Sequence, residues 1–238
     1  MPSDGQDTRA HEQQSTSGMR LYDYGPSPNC HKVRILLAQL AQEYERVPID
    51  IFGGDTLAPE YAEKNPGLTT PVLEIEPDVY LPESGAILLY LAEGSEFLPS
   101  DRLERAHVHR WMMWEQARLF AILGTLRFFL RSGRLDPESR EARQQLRFAN
   151  AIVGQAEGHL SSNEFFVADR YSVADIACYG YLQVAHEAGV DMDAFPNVAA
   201  WLERVRKQPR HVADLEPYPE NAQRGKGQSI YDLLAVES

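Results

Sequence analysis

The segment NPGLTTPVLEIEPDVYLPESGAILLYLAE, residues 65–93, decides how this chain folds. It opens on turn chemistry at Asn65-Pro66-Gly67 and reaches Thr70-Pro71 directly before an apolar run, Val72 to Ile75. A second short run, Val79 to Leu81, follows across Pro77-Asp78, the spacing of a β-hairpin. Glu83-Ser84 then introduces a helix predicted to run to Glu93, with Ser84 placed to satisfy the orphan N–H groups at its start. A hairpin that feeds a helix needs further strands to complete its sheet.

Those strands lie upstream. MRLYDY, residues 19–24, alternates apolar and polar side chains as a half-buried strand does. GPSPN turns the chain, and Val33, Leu36, Leu37 and Leu40 recur at helical spacing over about 29–42. A second strand is predicted at Tyr44 to Ile51, then a Gly-Gly loop and a short helix at Pro59 to Lys64. One strand-helix-strand unit implies a parallel pair, and the hairpin adds antiparallel strands. The reading over 19–94 is a mixed four-stranded sheet with flanking helices, the thioredoxin-like arrangement. After Pro99 strand alternation disappears and four helical segments follow, near 102–131, 137–161, 172–188 and 197–207. This predicts an all-helical bundle over 102–215, joined through EGSEFLPSD, 93–101. Residues 216–238 form a C-terminal tail rich in Pro, Gly and charge, ending in SIYDLLAV, which could dock. Residues 1–18 are polar and read as a disordered leader before Met19.

Composition narrows the function. With 43% hydrophobic and 24% charged residues, the chain reads as an ordinary globular protein. Its formal charge of −12, without a basic block, argues against nucleic-acid binding. No apolar run nears the ~18 residues of a membrane span. Two cysteines, Cys30 and Cys178, are too few for a disulfide framework and point to a reducing cytoplasm.

Three stretches carry chemistry. Glu83-Ser84 would offer a carboxylate to an amine and a helix N-terminus to an anion, or simply cap a surface helix. Thr70-Pro71 would hold backbone groups open to a peptide-like ligand if the proline is cis, or form an ordinary trans turn. SPNCHKV, 27–33, sits at the strand-to-helix junction where ligands of open sheets collect, although Ser27 or Asn29 could merely cap the helix.

Together, SPNCHKVR, NPGLTTPVLE, ESGAILLYLAE and ADRYSVADIACY resemble the cytosolic glutathione transferase family across about 19–215, and bacterial nu-class and disulfide-bond reductase members in the Ser-Pro-Asn triplet. The resemblance implies glutathione as co-substrate, no metal, a homodimer, and a second substrate that is a small hydrophobic electrophile or a disulfide. It implies Glu83 and Ser84 on the γ-glutamyl end, Thr70 on the cysteinyl backbone with Pro71 cis, and Ser27 or Asn29 on the sulfur. Tyr24 and Cys30 are the rivals for the sulfur; Cys30 is read as an inert, partly buried thiol and His31 as a solvated helix residue. Thr69 stands where the family often has Lys. Trp111, Trp114 and Arg118 share a face of the first long helix, with Met112 and Glu115 beside them, and are the candidates for the second-substrate wall. Ser172 and Asp175 are read as a capping box that starts a buried helix, and Cys178 as core. A non-enzymatic interaction module is the third reading.

Overall fold

The computed structural model describes residues 18–233, so all but the last residue of the predicted leader and the last five residues of the chain lie outside the described part. The alternating 19–24 segment forms β1 (Arg20–Asp23), the junction turn leads into α1 (Pro28–Gln39), and β2 (Glu45–Pro48) pairs parallel with β1. After the short α2 (Pro59–Ala62), β3 (Val72–Glu76) and β4 (Val79–Pro82) form the expected antiparallel hairpin, and α3 (Ser84–Ala92) follows. Strand order is β2-β1-β3-β4, with β3 antiparallel to β1. Leu21 and Leu73 meet Val33, Leu37 and Ile87 in one buried cluster, fixing α1 and α3 on the sheet. Each such side chain contributes about 1.5–3 kcal/mol.

The first long helix runs from 102 to 131 without a break but not with one geometry. It comprises α4 (Arg102–Trp114), a π-helical stretch Glu115–Gly124 and α5 (Thr125–Arg131). Then come α6 (Arg140–Leu160), α7 (Val173–Leu182), α8 (Pro196–Arg206) and a last turn, α9 (Ile230–Leu233). The segment expected to be helical to 188 leaves α7 at Leu182, and Ala185–Ala188 is a separate 3₁₀ turn. α7 starts on the capping box read from sequence. Ser172 N–H donates to Asp175 at 3.0 Å, and the same carboxylate accepts from the Phe166 N–H at 3.0 Å and from Trp201 Nε1 at 2.9 Å. Cys178 is buried in the helical core.

The sheet and the helices meet along α1. A Cβ on Gly180 of α7 would stand 3.2 Å from the Pro28 carbonyl oxygen, tighter than most side chains come, so glycine eases the close approach of α7 to α1. Alongside, Lys32 Nζ lies 3.0 Å from Glu115 Oε1, both side chains almost wholly buried. The solvated His31 expected from sequence is instead completely buried. Gln183 Nε2 donates to its Nδ1 at 2.9 Å, which leaves the ring proton on Nε2 to donate to the Val212 carbonyl at 3.0 Å. Both partners come from segments more than 150 residues away.

Beyond α8 the chain becomes a strap over residues 212–233. Arg34 Nε holds Asp214 at 3.0 Å, Asn221 Nδ2 donates to Asp50 at 2.7 Å, and the Gln228 N–H donates to the Phe52 carbonyl at 2.7 Å. On the helical side, Arg134 Nη1 donates to the Ala222 carbonyl at 2.7 Å and the Arg224 N–H to the Ser132 carbonyl at 2.9 Å. The tail is docked on both halves of the protein.

Candidate active site

One cleft lies between the sheet and the helices, at the N-termini of α1 and α3, and the strap forms one of its walls. It gathers Ser27, Asn29, Thr70, Pro71, Glu83 and Ser84 from three separate segments. Ser27 caps α1, its Oγ accepting from the Cys30 N–H at 3.3 Å. An accepting hydroxyl keeps its own proton, so Ser27 remains able to donate. Asn29 is the second residue of α1, and its Oδ1 accepts from Ser84 Oγ at 3.4 Å. That bond turns the Asn29 amide nitrogen the other way, so it too is a donor. The same contact links the starts of α1 and α3.

The Thr70-Pro71 peptide is cis. The turn before it is fastened from two sides: Tyr61 Oη and Asn65 Nδ2 each donate to the Thr69 carbonyl at 2.8 Å. Glu83 has φ 70° and ψ 110°, in a region costly for any residue with a side chain. The strained residue directly precedes α3, where strain of this kind marks a functional constraint.

Both rivals for the sulfur are located. Cys30 is completely buried, its Sγ accepting from the Tyr24 N–H at 3.4 Å. Burial pushes its thiol up to about 12, so it is not a thiolate at neutral pH. It is buried more deeply than the partly buried thiol expected. Tyr24 forms part of the cleft wall; its hydroxyl is buried without a protein partner, and burial pushes its phenol well above the usual range.

Trp111, Trp114 and Arg118 do not reach the cleft. Trp111 packs against the stacked rings of Phe166 and His159, with ring centroids 4.6 and 4.7 Å away. Trp114 Nε1 donates to Gln155 of α6 at 2.9 Å, and Arg118 is exposed. Their shared spacing marks the side of the helix turned to α6 and solvent. The side turned to the cleft carries Gln116, Phe120 and Gly124, one per four residues through the π-helical stretch. Phe128, Tyr181, Tyr218 and Tyr231 complete an aromatic wall that sequence reasoning missed. Only the run of aromatics in 120–129 and SIYDLL hinted at it. Among the described residues, no three His, Cys, Asp or Glu side chains gather as a metal site.

Comparison with known proteins agrees with this architecture. Residues 21–96 match the glutathione S-transferase N-terminal domain family and residues 117–209 the glutathione S-transferase C-terminal domain family. A possible glutathione S-transferase from Rhodopseudomonas palustris superposes with a TM-score of 0.80 at 38% identity, covering 85% of this chain and 100% of the other. A glutathione transferase from Burkholderia graminis, solved with two glutathione molecules bound per subunit, gives 0.72 at 29% identity, covering 81% and 85%. The disulfide-bond oxidoreductase YfcG of Escherichia coli is 28% identical over 193 residues, 78% of this chain and 89% of that protein. The fold and the cleft at the two helix N-termini define a glutathione-transferase-type protein. The chain belongs to the glutathione S-transferase family.

Proposed function

We propose that this chain binds glutathione in the cleft and activates its thiol for attack on small hydrophobic electrophiles. The observation that carries the reading is the convergence of Ser27, Asn29, Thr70, Glu83 and Ser84 on one cleft from three separate segments. The γ-glutamyl amine lies against the Glu83 carboxylate and its carboxylate against Ser84 and the start of α3. The cysteinyl backbone pairs with Thr70 beside Pro71. The sulfur then faces Ser27 and Asn29. The reading includes a homodimer, as the family resemblance implies.

Energetics allow two neutral donors to do this work. A free thiol titrates near ~8.5, and lowering it by two units takes about 2.7 kcal/mol of thiolate stabilisation. One hydrogen bond to the anion supplies roughly 1.5–3 kcal/mol and the start of α1 about 0.3–1 more. Ser27→Ala and Asn29→Ala variants test the assignment. Each is expected to raise the pKa of bound glutathione by about one unit, read from thiolate absorbance, and so to slow conjugation about threefold at neutral pH as the thiolate fraction falls. If neither moves the pKa, the sulfur lies elsewhere.

A second reading, reduction of glutathione disulfide or a mixed disulfide, is favoured by Asn29. With Ser84 holding its carbonyl oxygen, its amide nitrogen suits a second sulfur. Relatives called disulfide-bond oxidoreductases, and the structure holding two glutathione molecules, support it. Activity with a glutathione-linked disulfide exceeding that with electrophiles would put this reading first.

A further inference from the structure

Glutathione carries two carboxylates, and the cleft has an evident place for one. Ser84 and the start of α3 receive the γ-glutamyl carboxylate, and a peptide paired at Thr70 continues past it, away from α3. Beyond Thr70 the cleft is bordered by Ile51 and Thr56 from the loop after β2, Leu68 and Thr69 from the turn, and Ser229 and Ile230 from the strap. These segments are tied to one another. The Gln228 N–H donates to the Phe52 carbonyl at 2.7 Å, and Tyr61, on the helix that follows Thr56, donates to the Thr69 carbonyl at 2.8 Å.

Among the described residues that line the cleft, Glu83 carries the one charge, and it is negative. The cations packed around the wall are turned elsewhere. Arg127, over the Tyr218 ring, pairs with Glu187 at 2.8 Å; Arg134, over the Phe128 ring, pairs with Asp232 at 2.5 Å and the Ala222 carbonyl at 2.7 Å. Lys64 lies on the Tyr80 ring, 4.9 Å from its centroid. Asp50 and Asp55, each next in sequence to a lining residue, are exposed, and the chain's formal charge is −12. A carboxylate at this end finds no cation and stands in a negative field. What the wall offers instead is hydroxyl groups and aliphatic surface. Thr69 Oγ1 accepts from Asn65 Nδ2 at 3.1 Å and keeps its own proton to donate. Ser229 Oγ donates to Asp232 at 2.6 Å and keeps lone pairs to accept. Thr56, almost wholly buried, adds a third hydroxyl to the cleft wall. A donor and an acceptor side by side match an amide, not an anion.

We propose that the co-substrate this cleft favours is a glutathione whose glycyl carboxylate is capped as an amide, so that its last residue carries no negative charge. This deepens the glutathione reading and rests on it. The γ-glutamyl and cysteinyl residues keep the partners already given, and the chemistry at sulfur is unchanged. At the far end Thr69 donates to the capping amide's carbonyl and Ser229 accepts from its N–H. An alkyl group on the amide nitrogen lies on Ile51, Leu68 and Ile230.

The test is calorimetric titration at neutral pH with reduced glutathione and with its C-terminal primary amide, which differs by one charge at one end. The amide is expected to bind about tenfold more tightly or better, since the carboxylate of glutathione is left without a partner. Thr69 is exposed, so Thr69→Lys adds a cation at this end without disturbing the core. It is expected to tighten glutathione about tenfold through a charge-assisted bond and to leave the amide nearly unchanged, so that the preference disappears. Wild-type protein that binds glutathione as tightly as the amide, or more tightly, overturns the proposal and leaves glutathione binding in the cleft intact. An amide preference that persists in full in Thr69→Lys overturns the placement of the glycyl end on this wall. Binding of neither ligand overturns the glutathione reading as well.

Discussion

Glu83 holds a backbone conformation that only glycine adopts freely, and its carboxylate is the one proposed to meet the glutathione amine beside α3. The strain, of order 1–3 kcal/mol, is retained against stability. Glu83→Gly separates the two effects. Unfolding in urea is expected to show equal or slightly greater stability, by up to about 1 kcal/mol after the flexibility of glycine is counted. Glutathione affinity is expected to fall tenfold or more as the amine loses its partner. A variant that becomes less stable and binds normally would contradict the assignment. Thr70-Pro71, Glu83-Ser84 and Ser172 with Asp175 were legible in the sequence because each carries its signature in neighbouring residues, although Ser84 does not cap α3 as expected: Glu83 is the N-cap without a side-chain bond, and Ser84 Oγ donates to Asn29. His31 was not legible: its burial depends on Gln183 and Val212, which no local pattern connects to it.

Among the elements, the long helix from 102 to 131 explains most of what sequence reasoning missed. Periodicity groups Trp111, Trp114 and Arg118 correctly on one face but does not say what that face meets. Here it meets α6 and the 159–166 segment, while Gln116, Phe120 and Gly124 turn to the cleft. π-helical geometry is rare and, where it interrupts an α-helix, frequently lies at a functional site; this stretch borders the cavity. Gly124 is the tightest point: a Cβ there would lie 2.7 Å from Tyr181 Cε1 and 2.8 Å from Phe120 Cδ2. Gly124→Ala is expected to cost about 1 kcal/mol net, overpacking of about 1–3 kcal/mol outweighing a helix-propensity gain near 1 kcal/mol. It also pushes a ring into the cleft, so KM for the second substrate is expected to rise severalfold. A stabilised variant with unchanged KM would show that the wall is not packed this tightly.

Taken across the whole chain, the strap ties the two halves together, and its composition concealed this. Proline, glycine and charge over 216–238 read as a tail in which only SIYDLLAV could dock, whereas Asp214, Asn221, Ala222 and Gln228 each find partners on distant elements. His31 lies beneath it. Burial, and next the neighbouring Arg34, lower its pKa to about 4, with Asp214 opposing. In the unfolded chain a histidine titrates near ~6.5, so below that pH the unfolded state binds the extra proton. The neutral ring therefore contributes stability that is complete above about pH 6.5 and is lost as pH falls toward 4. Urea midpoints measured from pH 8 to 4.5 are expected to drop on the acid side, and less steeply in His31→Gln. Identical slopes would mean that His31 does not bear on how the strap is held in acid.

The central claim is that the cleft holds glutathione, and calorimetric titration of the purified chain with reduced glutathione tests it most directly. Saturable binding at micromolar to millimolar concentration, at least tenfold weaker in Ser84→Ala, is the expected result. No heat of binding at millimolar glutathione, or equal affinity in wild type and Ser84→Ala, would contradict it and leave a transferase fold without its ligand at this site.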